Sequence, residues 1–287
     1  MLRLTFLGTG TSQGVPMIGC NCPVCRSQDS HDRRLRSSVM IERFDSSPEQ
    51  RPADILPQAP AHAMYTGSVG ADARIVIDAG PDFRYQMLRE GVKTLDAILL
   101  THEHKDHIAG IDDVRAFNYF EGRAVPIYAT ERVGKAVRKD FDYAFAQNRY
   151  PGAPEIDLRT IRCDEAFDVA GFRILPVTGR HYLLPVTGYR IGRLAYLTDF
   201  NGIDDRQLDK LRGVKVLVIN ALRYEKHISH FTVDEAVAIS RKVGARRTYL
   251  THMSHQIGLW AEKKDTLPEG VKFAWDGLRV EIEDGHE

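Results

Sequence analysis

The sequence predicts one α/β domain in which two β-sheets pack face to face beneath a covering of helices. Three observations carry this expectation. Short apolar or β-branched runs recur along the chain, single helical patterns are interspersed among them, and no break in composition divides the 287 residues. A hydrophobic content of 43% beside 27% charged residues suits a chain that buries a substantial core.

Taken in order, the runs at 3–7, 39–43 and 74–77 read as strands bounded by Gly, Pro or Asp. Between Phe44 and Ala73 the pattern dissolves into Pro, Ser, Gln, Ala and Gly. Strand-like flanks make this stretch, about 44–73, an exposed insertion within a hairpin and leave 1–287 as a single domain. Residues 82–90 form a short helix closed by Gly91, which suits the position after a helix end. The run from Leu95 to Leu100 is a buried strand leading straight into Thr101. A helix follows at about 108–121, a strand at 126–129 and a longer helix at 131–147. Later strands are expected at 172–177, 188–191, 194–197, 214–220, 246–250, 272–274 and 278–282. Helices are expected at 205–211 and 233–243, the second opened by Thr232 with Glu235 completing a capping box.

Charge and cysteine usage narrow the function classes. Thirty-nine basic residues balance 39 acidic ones, which argues against a broad, sequence-independent grip on nucleic acid. No run of about 18 apolar residues offers a membrane span. The opening Met1-Leu2-Arg3-Leu4-Thr5-Phe6 reads as a strand and not as a signal peptide, so a cytoplasmic protein is expected. Cys20, Cys22 and Cys25 are too crowded for a disulfide framework, and in a reducing compartment their spacing points to metal. Three thiolates leave a closed zinc site one ligand short, and His255, three residues past His252, is the best candidate for the fourth. Cysteines that are simply buried, or a redox pair, are the alternative. Cys163 stands alone and reads as a small buried side chain.

The densest signal is Thr101-His102-Glu103-His104-Lys105-Asp106-His107. Alternation in an extended segment sends His102 and His104 to one side, and a turn or helix start must bring Asp106 and His107 around a second point. Imidazole and carboxylate suit Zn, Mn or Fe, and the cluster is too dense for one ion. A solvated polar loop is the bland alternative, poorly compatible with so many ligands directly after a buried strand.

This run resembles the signature of the metallo-β-lactamase superfamily, and the resemblance covers nearly the whole chain. It implies an αβ/βα four-layer sandwich with two metals at the sheet edge. Asp78, in Ile77-Asp78-Ala79-Gly80, would orient a ligand. By the same resemblance His102, His104 and His181 hold one metal, Asp106, His107 and His252 hold the other, and Asp199 bridges them. Singly, His181, Asp199 and His252 are weak signals; their order along the chain is what counts. Two cations roughly 3.5–4 Å apart would activate a shared water as hydroxide and neutralise charge on a phosphoryl group.

Leu7-Gly8-Thr9-Gly10-Thr11-Ser12, the cysteine loop and Arg34-Leu35-Arg36-Ser37-Ser38 are similar to the branch that includes the phosphoribosyl cyclic phosphate phosphodiesterase of the carbon–phosphorus lyase pathway. The resemblance implies a structural zinc on Cys20, Cys22, Cys25 and His255, and a small phosphodiester, cyclic forms included, as substrate. It also implies that His230, before the helix at 233, is a general acid or phosphate holder, with Asp106 and Asp199 beside it in the catalytic set. His227 ranks second to His230. A homodimer is a family expectation. The long 44–73 insertion departs from the branch pattern and leaves the exact substrate open. Competing activities are tRNA 3′-end endonuclease, disfavoured by the absence of a basic Gly/Pro-rich arm, and thioester or lactam hydrolysis, disfavoured by the cysteine loop. A metal-stabilised scaffold without turnover is the non-enzymatic alternative.

Overall fold

The computed structural model describes residues 1–45 and 70–283. Most of the expected 44–73 insertion therefore lies outside the described residues. Among the described residues, fourteen strands form two seven-stranded sheets. One sheet comprises β1 (Leu2–Gly8), β2 (Ser38–Arg43), β3 (Ala73–Ile77), β4 (Ala97–Leu99), β5 (Val125–Thr130) and β6 (Ile156–Ile161) in spatial sequence, with β14 (Arg279–Ile282) beside β1. The other runs from β7 (Phe167–Val169) through β8 (Phe172–His181), β9 (Leu184–Ile191), β10 (Leu194–Leu197), β11 (Val216–Asn220) and β12 (Arg247–Thr251) to β13 (Val271–Phe273).

Side-chain parity explains the layering. In β3, Ile75 and Ile77 face the second sheet while Val76 faces outward. In β11, Val216 and Val218 face inward while Leu217 and Ile219 meet a helix layer. Burial on both faces is why these strands read as unbroken apolar runs. Phe6, Tyr189, Tyr196 and Tyr249 fill the space between the sheets. Phe83, Met87 and Val137 cover the first sheet, and Val233, Ala236 and Val237 cover the second. The result is the expected four-layer α/β sandwich. No helix among the described residues is long and apolar enough to cross a membrane.

Both sheets have a parallel half, β3 to β6 and β10 to β13. Parallel strands deliver their C-terminal ends to one edge, where such sheets build sites. Tyr189 ties the halves together there, its hydroxyl donating to the Leu100 carbonyl at 2.6 Å.

Several elements differ from the sequence reading. The helix expected at 108–121 is three pieces, Lys105–Ile108, a 3₁₀ turn Ile111–Val114 and Arg115–Glu121. The break falls at Gly110, whose amide donates to the Ala79 carbonyl and where a Cβ would stand 2.0 Å from the Gly80 oxygen. The helix expected at 131–147 ends at Asp140 and resumes as Asp142–Phe145, because Phe141 turns into the core. β6 and β7 were not expected, and β8 and β9 extend well past 172–177 and 188–191. Gly179 and Gly188 disguise the extension. Both are small because the Phe200 ring and the Leu197 side chain occupy the space a Cβ would take. Cys163 is only partly buried, contrary to expectation, since it lies in the exposed turn after β6.

Candidate metal centres

Every expected ligand of the catalytic pair sits at or just past a strand end on that edge. Asp78 follows β3, the His102–His107 run follows β4, His181 ends β8, Asp199 follows β10 and His252 follows β12. Asp78, Asp199 and His252 have φ of 66°, 64° and 56°, a left-handed conformation that costs a non-glycine residue about 1 kcal/mol. The strands force the turn, and three such residues at one edge mark where the chain stores strain.

His102, His104 and His181 place one ring nitrogen each within 4.8 Å of one another. The ligand atoms of Asp106, His107, Asp199 and His252 form a second group of the same span, and Asp199 also groups with His181 and His230. Asp199 thus stands between the sets. Its Oδ2 lies 3.2 Å from both His107 Nε2 and His252 Nδ1.

Hydrogen bonds fix which nitrogens face inward. His107 Nδ1 donates to Asp78 Oδ2 at 2.7 Å, and His181 Nδ1 donates to the Ser229 carbonyl at 2.8 Å. The Thr101 hydroxyl is committed as donor to Asp78 at 2.8 Å, so it accepts from His102 Nδ1 at 3.0 Å. Each of these imidazoles therefore turns its Nε2 toward the cluster. Buried His107 Nε2 has no hydrogen-bond partner among the described residues, and His102 Nε2 faces His104 Nδ1 at 3.0 Å. Imidazole nitrogens and carboxylates crowded together within 4.8 Å are the donor set of divalent cations, so the residues present fit such ions.

The electrostatics divide the imidazoles. Burial pushes His102 well below the ordinary imidazole range, with His107 adding to the effect, and burial also lowers His104 and His252. Burial opposes protonation of His107, but Asp106, Asp199 and Asp78 together outweigh it and raise its pKa. Burial likewise works against the Asp199 carboxylate, yet His252 and His107 hold it well below the usual range. His230 is pushed down to about 3 by burial, despite Asp199, whose Oδ1 lies 3.7 Å from its Nδ1. That Nδ1 is buried without a hydrogen-bond partner. His227 belongs to neither group; its ring lies 5.3 Å from that of His230 and its Nδ1 accepts from the Ser229 amide.

The second cluster is separate. Cys20, Cys22, Cys25 and His255 bring their ligand atoms within 4.8 Å, and none of the cysteines is in a disulfide. His255 Nδ1 lies 3.4 Å from Cys20 Sγ and 3.2 Å from Cys22 Sγ. Cys22 caps the helix Pro23–Arg26 by accepting from the Cys25 amide. Burial raises its thiol pKa, but that amide and His255 bring it down to about 6. Cys25 is pushed up to about 11, first by burial and then by Cys20 and Cys22. Four N/S donors with one ready thiolate suit a closed tetrahedral ion. In the segment that follows His255, Trp260 stacks on the His31 ring at 4.8 Å and meets Trp275 edge-on at 5.3 Å.

Several contributors escaped the sequence reading. Thr11 Oγ1 lies 3.3 Å from His252 Nε2. Asn220 clamps Phe200, next to Asp199, accepting from its amide at 2.7 Å and donating to its carbonyl at 3.0 Å. An Asn ending an otherwise apolar strand was a visible signal. The Ser229 carbonyl had none, because a backbone group carries no sequence identity.

Fold and site together are those of a metal-dependent hydrolase. The chain belongs to the β-lactamase superfamily, whose "Beta-lactamase superfamily domain" family model matches residues 73–253. It is similar to a solved structure described as a new diphosphatase from the PhnP family, with 39% identity, a TM-score of 0.81, and 97% of this chain and 96% of that one covered. It is 37% identical over 284 residues to a protein of Porphyromonas gingivalis named octanoyltransferase, covering 99% of this chain. The chain spans only 52% of that relative's length. A ribonuclease Z of Methanopyrus kandleri is 24% identical over 247 residues, covering 73% of this chain and 88% of the relative.

Proposed function

We propose that this chain hydrolyses small phosphodiesters, cyclic forms included, at the paired histidine–aspartate cluster. The observation that carries the reading is Asp199 standing between two ligand groups, with the unpartnered Nδ1 of His230 facing it. The similarity to a PhnP-family diphosphatase over nearly the full length of both chains supports the choice of phosphate chemistry.

His102, His104 and His181 would hold one divalent cation, Asp106, His107 and His252 the other, with Asp199 shared. When bound, such a pair polarises a phosphoryl oxygen and supplies a water of lowered pKa. The chain's own residues do the rest. Asp78, Thr101 and the Ser229 carbonyl hold the imidazoles in the one tautomer that can ligate. The unpartnered Nδ1 of His230 offers a hydrogen bond to the phosphate, whose negative charge would favour the imidazolium form that can pass its proton to the leaving oxygen. Cys20, Cys22, Cys25 and His255 would hold a structural zinc.

The ribonuclease Z likeness favours a nucleic-acid substrate, but the balanced charge of 39 against 39 weighs against a long polyanion. The octanoyltransferase name is not carried over, because this chain spans 52% of that protein.

Turnover of bis(p-nitrophenyl) phosphate and of a ribose cyclic phosphate, with metal content measured on the same sample, tests the proposal. About three metals per chain and hydrolysis of a diester are expected. Asp199→Ala should abolish turnover and empty at least one catalytic position. A metal-loaded wild type that leaves every diester intact would overturn the reading.

A further inference from the structure

The chain joins β8 to β9 through a two-residue turn of Tyr182 and Leu183, closed by the pair His181 and Leu184. The turn needs a positive φ at its first residue, where glycine is unstrained and tyrosine is not. Tyr182 nevertheless sits at φ 57°. The next hairpin, β9 to β10, has the same two-residue length, closed by Ile191 and Leu194, and there the first position is Gly192 at φ 56°. One chain thus solves the same turn twice, with glycine away from the metal centre and with a strained tyrosine beside it. A turn that only reversed the chain would gain from glycine at both.

The tyrosine is displayed. Tyr182 is 51% exposed, Leu183 79% and Ile228 65%, while the adjoining His181 and His230 are buried. The turn is also held still. Asn201 Oδ1 accepts from the Tyr182 amide at 3.0 Å and Asn201 Nδ2 donates to the Ile228 carbonyl at 2.7 Å. This clasp joins the turn after His181 to the loop that carries His230. An aromatic ring on a fixed backbone loses little entropy on stacking. Three exposed side chains are far too few for a protein interface, which needs about 1,000 Å², but one ring suits one planar group.

We propose that Tyr182, flanked by Leu183 and Ile228, is a recognition platform on which the base of a free nucleotide stacks while its phosphate lies at the metal centre. The inference rests on the phosphate reading above and adds the substrate class: nucleotides. A free nucleotide is chosen over RNA because the chain carries no net positive charge.

Calorimetric titration of the metal-loaded protein with AMP and with ribose 5-phosphate tests this. Wild type should bind AMP about tenfold more tightly, the effect of one base–aromatic stack. Tyr182→Phe should keep that preference. Tyr182→Gly relieves the turn, should melt near the wild-type temperature, and should bring the two affinities together. A preference that survives Tyr182→Gly overturns the platform. So does a wild type that binds both phosphates equally, an outcome that leaves the phosphate reading standing. Binding of neither phosphate overturns the platform, while diester turnover on the same sample decides the phosphate reading. A preference for the base seen only in an oligoribonucleotide overturns the free nucleotide as occupant.

Discussion

His230 presents a buried Nδ1 without a hydrogen-bond partner, and the proposed function gives that nitrogen a use. Its ring is buried between those of His181 and His252, at 4.7 and 4.9 Å, yet it completes neither of the two ligand groups it adjoins. His230→Ala should therefore leave both metals bound and lower kcat by roughly 10²–10⁴-fold, the usual effect of a lost proton donor. Elemental analysis and turnover on the same sample check this; loss of metal, or a full rate, would remove His230 from the role. The residues that form the clusters were legible because most lie within two short runs, His102–His107 and Cys20–Cys25. Thr11 was not, since it meets His252 across 241 positions of sequence.

Elements at this edge are held by polar groups that bridge loops. Asp276 is the best example. It accepts from the Thr9 hydroxyl at 2.7 Å and the Leu35 amide at 2.8 Å, and Arg89 lies 3.7 Å away. Three segments distant in sequence converge on one carboxyl. Burial pushes its pKa up to about 6, with Arg89 and the two donors only partly offsetting that. A raised folded pKa means that its contribution is fully present below about pH 4 and is lost as pH rises through 6. Relative to Asp276→Asn, wild type should lose at most about 3 kcal/mol of stability across that window. Parallel urea unfolding of both proteins from pH 4 to 7 measures the difference, and a pH-independent gap would refute it. Elements were legible where strands are buried on both faces, as in β3 and β11. They were not where tertiary packing put Gly179 and Gly188 under Phe200 and Leu197, since local pattern reads glycine as a break.

At the level of the whole molecule the two candidate metal sites would divide the labour. The cysteine cluster ties the 20–25 loop to His255, 235 positions away from Cys20, so its ion would add folding free energy directly. The histidine–aspartate cluster is braced by both sheets, with Tyr189 and the Thr187 amide bonded to the end of the β4 segment. Cys22→Ser should lower Tm markedly while the active fraction keeps near-normal KM. His104→Ala should remove turnover with a smaller loss of Tm. A Cys22→Ser protein that melts like wild type but is inactive would place the cysteine loop in the active site instead.

The stack of His31, Trp260 and Trp275 has an optical consequence. These are the only two tryptophans in the chain, and they lie 5.3 Å apart. Trp260 follows His255 by five residues, and its amide donates to Asp32 at 2.8 Å. Intrinsic indole emission therefore originates wholly in this stack, five residues past the histidine of the cysteine cluster. In a stepwise titration of the metal-free protein, filling the cysteine site should change that emission, while filling the catalytic pair should leave it nearly constant and restore turnover. The molecule carries its own label-free gauge of one site, so the order in which its ions arrive can be read from light and rate together.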